Sequence, residues 1–275
     1  MQQHSLSYKS DYIEVERNTP AHKSKGRSIS PGVGLFVSLT LFVFAWKALV
    51  EIRDYPAFIL PAPDVVAHRL INEFANGTLL HHTMYTLTEA VLGFLIALSI
   101  SLVLGYFLAH SRRLERILAP QLAATQAIPV VAVAPLIILW VGTEIHSKIL
   151  VAALVTFFPI LSSATVAIRN VPRELLEMAR ISGASRLQTL RHVELPLALP
   201  GIFGGVKAGL ALATTGAVVG EFVSGRDGLG ALINISRGLF DTPLMFASLI
   251  TLAALTLSFY LMVTLLERLL VRWEA

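Results

Sequence analysis

Glu89 and Lys207 lie farther inside the long apolar runs of this 275-residue chain than its other ionisable residues. A carboxylate or an ammonium in such a setting costs several kcal/mol unless it is paired, neutralised or met by polar surroundings. Two roles are open to them: a pair that anchors helices to one another, or groups that meet a solute on its way through. Milder polar side chains are candidates for the same path. Thr86 shares a helical face with Glu89. Thr125 and Gln126 precede Pro129, and Thr156 precedes Pro159. Helix breaks at those prolines would turn backbone carbonyls toward a cavity, which lipid does not tolerate. Thr214 and Glu221, toward the end of the following apolar run and just beyond it, complete the candidate path.

Covalent chemistry finds no support. The chain has no cysteine, which excludes disulfides, thiolate catalysis and Cys-ligated metal centres. Its eight histidines include the adjacent His81 and His82 but form no HExxH or HxH pattern, so no metal site is expected. Residues 224–230 are glycine-rich but lack the Lys-Ser/Thr of a phosphate loop, and read as a turn or short re-entrant connector. No catalytic residue and no bound cofactor are predicted. The formal charge of +4 comes without a long basic tract beside stacking aromatics, so nucleic acid is not an expected partner.

The most informative polar stretch is 169–196. Pro172 is placed to start a helix over 173–181, Gly183 to allow a turn, and Ser185 to cap a second short helix through His192. Leu175, Leu176, Met178 and Ala179 supply apolar contacts. Such a compact knob either passes force from a soluble partner or is an ordinary connector with solvated charges.

These residues need a membrane to position them. Hydrophobic residues make up 55% of the chain and charged ones 15%, well below the quarter usual in soluble domains. The apolar residues cluster in six blocks, near 33–50, 83–110, 118–141, 149–168, 197–219 and 243–265, which predicts an all-α fold of about six transmembrane helices. Pro120, Pro129 and Pro135 make the third block an interfacial or broken span. With both termini inside, the inner segments hold five, three, five and two of the Lys/Arg residues, and the outer segments hold five in all, so the 169–196 knob is cytoplasmic. The expected division is a flexible cytoplasmic tail over 1–32, a first span over 33–54, an outer loop over 55–82, a transmembrane core over 83–268 and a cytoplasmic tail over 269–275. In the outer loop, Pro63, Asp64 and the spacing of Val66, Leu70, Ile71 and Phe74 predict a short amphipathic helix ended by Gly77. Gly201, Gly205 and Gly209 form a small face suited to close helix packing, within the subunit or against a second copy.

Glu177-Met178-Ala179, followed by Gly183 and by Val193-Glu194-Leu195-Pro196, resembles the EAA signature of permease subunits in bacterial ATP-binding-cassette importers. Met178 stands where Ala is usual, and Val193 where Ile is usual. Leu60-Pro61-Ala62-Pro63, Gly93, Ser111-Arg112-Arg113, Ala127-Ile128-Pro129, Pro135-Leu136, Trp140, Phe158-Pro159-Ile160 and the run from Gly220-Glu221-Phe222 to Gly230 extend the likeness over most of 55–268. They are similar to the subfamily that imports nitrate, sulfonates, taurine, bicarbonate, aromatic acids, riboflavin and thiamine precursors. The likeness leans toward the last two solutes without fixing one.

This resemblance implies a type I importer permease with a coupling helix that enters a cleft of the nucleotide-binding subunit. Glu177, Met178, Ala179 and Gly183 would lie at that contact, with Arg180, Ala184 and Arg186 beside it. It further implies alternating access, a second permease copy, two cytoplasmic ATPases that hold the ATP and Mg, a periplasmic substrate-binding protein and a place in the bacterial inner membrane. The alternative is a secondary transporter or channel driven by an ion gradient, for which a Glu89–Lys207 pair and the proline-broken third and fourth spans would be the support.

Overall fold

A computed structural model describes residues 31–271; of the expected tails, 1–30 and 272–275 lie outside them, while residues 269 and 270 belong to the last helix. Every regular element is helical among the described residues. The described residues fall into two units, divided between Ala45 and Trp46. Helix α1, Pro31–Arg53, begins in the first unit. Its 23 residues would reach about 35 Å, enough to cross a bilayer.

The second unit takes in the end of α1 and then α2, Pro63–Ala75, the predicted amphipathic helix. Pro63 takes the first turn, where its missing N–H is no loss, and Gly77 turns the chain at φ 82°. Helix α3, Thr78–His110, then runs from the outer side to the inner. Ser111 ends it and caps α4, Arg112–Ala127, by accepting from the Leu114 amide at 3.2 Å. At Ile128 and Pro129 the chain bends by 95° into α5, Val130–Val141. The third apolar block is therefore broken in two, because Pro129 holds Ile128 in an extended conformation that no helix can continue through.

Helix α6, Ile145–Arg169, returns inward; α7, Arg173–Ile181, and α8, Arg186–Thr189, form the knob; α9, Leu195–Ser224, crosses outward. Helix α8 does not stop at His192 as the sequence suggests. Residues Leu190–Glu194 widen into one π-helical turn that runs into α9, with the Leu195 N–H reaching back to the Leu190 carbonyl. Pro196 explains the widening, since its ring would collide with the His192 carbonyl in a regular α-turn. Helix α10, Leu229–Gly238, packs at the outer end, and α11, Thr242–Leu270, makes the last crossing. Five helices are long and apolar enough to span a membrane among the described residues, or six if the bent α4–α5 pair is one span.

The core joins α3, α6, α9 and α11 through Ala90, Phe94, Ala152, Ile160, Phe203, Leu210, Ala217 and Phe259. Helix α6 is clasped between α3 and α9. A Cβ on Gly93 would lie 2.6 Å from the Ala152 Cβ, and one on Gly216 would lie 2.7 Å from the Ala152 Cα. The small face of α9 serves this same packing: Gly201 meets Ala167, Gly205 meets Ser163 and Gly209 meets Ile160. These three glycines are spent inside the subunit.

Candidate functional site

The knob and a buried polar cluster occupy opposite ends of α6 and α9. At the inner end, α7 starts after Pro172 with Glu174 in its first turn, where a negative charge faces the positive end of the helix. Its last turn closes as a Schellman motif. The Ala184 amide donates to the Ala179 carbonyl and the Gly183 amide to the Arg180 carbonyl, both at 3.0 Å, with Gly183 at φ 79°. Ser185 caps α8 in a reciprocal box with Gln188, at 3.3 and 2.8 Å.

The two short helices present an exposed apolar ridge of Met178, Ile181 and Leu187, the last two more than 70% exposed. A cleft of about 450 Å³ lies between α7 and the start of α9, lined by Met178, Ala179, His192, Val193 and Pro196 among others. A second cavity of about 460 Å³ is lined by Arg180, Ala184, Arg186 and Glu194 together with Tyr106 and His110 of α3. Glu177 is exposed on α7. Among the described residues, Arg173, Arg180, Arg186 and Arg191 form no salt bridge, whereas Arg169 at the foot of the knob is held by Glu115 at 2.6 Å and by the Leu108 carbonyl. The knob thus offers unspent cations and an apolar edge to whatever docks there.

At the outer end, five candidate or overlooked residues converge. Glu221, in the last turns of α9, is fully buried. Its carboxylate accepts from the Thr86 hydroxyl at 2.6 Å and from the Gly230 amide at 2.5 Å. Thr86 in turn accepts from the Leu229 amide at 2.8 Å, and His82 Nδ1 accepts from the Gly228 amide at 3.0 Å. Three successive N–H groups at the start of α10 are therefore capped by side chains of α3 and α9. No residue of α10's own sequence supplies this cap, which every helix N-terminus needs.

Glu89 lies one turn further along α3, also fully buried, beside Glu221. Its nearest counter-charge is the Lys148 ammonium at 3.7 Å, on the first turn of α6. Lys148 is itself 5% exposed. Gly220 makes room for it: a Cβ there would come within 3.1 Å of the lysine's Cα and Cγ. The sequence placed Lys148 in an outer loop, because the apolar run begins only at Ile149. The helix starts earlier, with Ser147 bonded to the Glu144 carbonyl at 2.8 Å. Only Gly220, spaced four residues after Gly216, hinted that something bulky crosses α9 there.

The remaining path candidates do not join this cluster. Lys207 is hydrogen-bonded to Glu267 of α11 and lies over the Tyr260 ring. The expected Glu89–Lys207 pair does not form, because the two residues sit toward opposite ends of the bundle and each finds a nearer partner. The ion-gradient alternative loses that part of its support and keeps the broken third block. Thr156 is buried with its hydroxyl on the Ala152 carbonyl at 2.6 Å. Thr214 bonds the Ala211 carbonyl at 2.7 Å and Thr256 at 3.0 Å. Gln126 is exposed near the end of α4, just before the bend. The 224–230 connector is a turn that leads into α10.

Comparison with known proteins places this architecture. Residues 101–272 match the family described as binding-protein-dependent transport system inner membrane component. The riboflavin transport system permease protein RibX of Chloroflexus aurantiacus is 62% identical over 263 residues, covering 96% of this chain and 98% of that protein. The putative aliphatic sulfonates transport permease protein SsuC of Bacillus subtilis is 33% identical, with 95% and 93% covered. The fold is similar to a chain of the inward-facing MetNI methionine ABC transporter, with a TM-score of 0.63 at 20% identity over 69% of this chain and 94% of that one. The chain therefore belongs to the binding-protein-dependent inner membrane permeases, the non-catalytic, multi-pass subunits of bacterial ATP-binding-cassette importers, in which a separate nucleotide-binding subunit hydrolyses ATP.

Proposed function

We propose that this permease carries a flavin of the riboflavin class. The observation behind the reading is the 62% identity to a riboflavin permease across 96% of the chain. The charge arrangement agrees with it. A path for nitrate or a sulfonate calls for cations free to meet the anion. Here Lys148 faces Glu89 and Lys207 is bonded to Glu267, so both cations within the bundle are already matched by carboxylates. An uncharged isoalloxazine with its ribityl hydroxyls asks for apolar walls and a few hydroxyls instead.

In this account two copies of the chain enclose the path, two cytoplasmic ATPases dock on their knobs, and a periplasmic binding protein delivers the solute. Glu177, Met178, Ala179 and Gly183 meet the ATPase, flanked by Arg180, Ala184 and Arg186. Residues 33–54 serve as a leading span, 55–82 as an outer interfacial segment, 83–268 as the transport core and 169–196 as its coupling loop. Thr86, Glu89 and Glu221 act from the outer end of that core, while Gln126, Thr156, Lys207 and Thr214 lie along it. The test is uptake into proteoliposomes that hold the permease, its ATPase and its binding protein. ATP-dependent accumulation of riboflavin, undiminished by excess taurine, is the expected result. Accumulation of a sulfonate with none of riboflavin would overturn the assignment.

A further inference from the structure

Helices α6 and α9 share one arrangement at both of their ends. Their inner ends hold the knob between them: α6 stops at Arg169, α7 and α8 follow, and α9 resumes at Leu195. Their outer ends hold the two buried charges, Lys148 on the first turn of α6 and Glu221 in the last turns of α9. Between these ends the helices are in close contact, as the approaches of Gly205 to Ser163, Gly209 to Ile160 and Gly216 to Ala152 require. Packed helices with so little free space move together rather than flex.

We propose that Lys148 and Glu221 are positioning residues that carry motion of the inner knob to α10 on the outer side. Glu221 grips α10 directly, through the Gly230 amide, and indirectly, through Thr86 and the Leu229 amide. The space for any slack is small, since a Cβ on Gly228 would overlap the Glu221 carboxylate and one on Gly230 would lie 2.7 Å from its Oε2. Lys148 ties α6 to the same point. Its ammonium lies 3.7 Å from Glu89, which sits beside Glu221, so α3, α6 and α9 converge on one buried group of charges. Removing Lys148 leaves two buried carboxyl groups without a counter-charge, and removing the Glu221 carboxylate leaves the Thr86 hydroxyl and the Gly230 amide without their acceptor, so either loss loosens the junction. Helix α10 is well placed to receive the motion. Leu229, Gly230, Ala231, Leu232, Ile233 and Ser236 are buried in the outer end of the bundle, while Ile235 remains 44% exposed.

The absence of cysteine from the chain makes the test direct, because a single reporter can be placed without removing native thiols. Ile235→Cys is introduced, the permease is reconstituted with its ATPase, and the rate of maleimide labelling is compared without nucleotide and with ATP and vanadate. The expected outcome is a severalfold nucleotide-dependent change in rate. Lys148→Met and Glu221→Gln abolish that change while the ATPase still co-purifies, and Lys148→Arg restores it. Glu221→Gln is close to isosteric but puts an NH2 donor where one of the two accepting carboxylate oxygens stands, so it breaks the grip without opening a cavity. A full nucleotide response in both Lys148→Met and Glu221→Gln would overturn the proposal. So would the absence of any response in the otherwise unaltered Ile235→Cys protein, or its loss in an assembled Lys148→Arg complex. Nothing in this assay depends on which solute is carried, so it stands or falls apart from the flavin assignment.

Discussion

Gly183 shows how one residue decides whether the knob keeps its shape. At φ 79° it sits where an L side chain costs about 1–2 kcal/mol, yet a Cβ there would meet nothing within 4 Å. The penalty for replacing it is therefore conformational and local to the turn between α7 and α8. Gly183→Asp adds a negative charge to a surface whose arginines are unpaired among the described residues, and it strains the same turn. That variant is expected to insert normally and to lose most ATPase co-purification, read by pull-down from solubilised membranes. Retention of the ATPase at the unaltered level would remove Gly183 from the contact. The sequence made this residue legible because the signal is local: a glycine between two short helical stretches, followed by a serine placed to cap the second. Lys148 was illegible for the opposite reason. Its burial is decided by Gly220 and Glu89, more than fifty residues away on either side, and nothing in its own neighbourhood marks it as internal.

The packing of α9 on α6 separates two kinds of glycine that look alike in the sequence. Gly204 and Gly205 are adjacent, but a Cβ on Gly204 meets nothing within 4 Å, whereas one on Gly205 collides with Ser163. Gly204→Ala is expected to leave the melting temperature in detergent unchanged or to raise it, since alanine gains about 0.5–1 kcal/mol of helix preference. Gly205→Ala is expected to lower it through about 1–3 kcal/mol of overpacking. Equal effects at both positions would contradict the close approach of these helices. The elements themselves were readable in outline. The bend at Pro129, the helix after Pro63 and the start of α7 all follow from proline geometry. What the sequence missed were the places where a helix continues past its apparent end. A π-turn carried α8 into α9, and polar residues before Ile149 extended α6 outward into the first turn that bears Lys148.

Over the whole molecule, the two charged features divide the labour. The inner knob is solvent-facing and rich in unpaired arginine, as a docking surface needs; the outer cluster is buried and sets one ammonium against two carboxyl groups, as a junction between helices can. Fold class and orientation were legible because lipid imposes them on composition: long apolar runs and an inward excess of Lys/Arg leave few alternatives. The pairing of Glu89 was not, because helix order around a bundle is not encoded in hydropathy. The account depends above all on work entering through the knob. A photo-crosslinking residue in place of Met178, which is 59% exposed, tests this in intact cells. Capture of the ATPase subunit from Met178, with none from Ile235 on α10, is the predicted result. Capture from Ile235 in place of Met178 would contradict it.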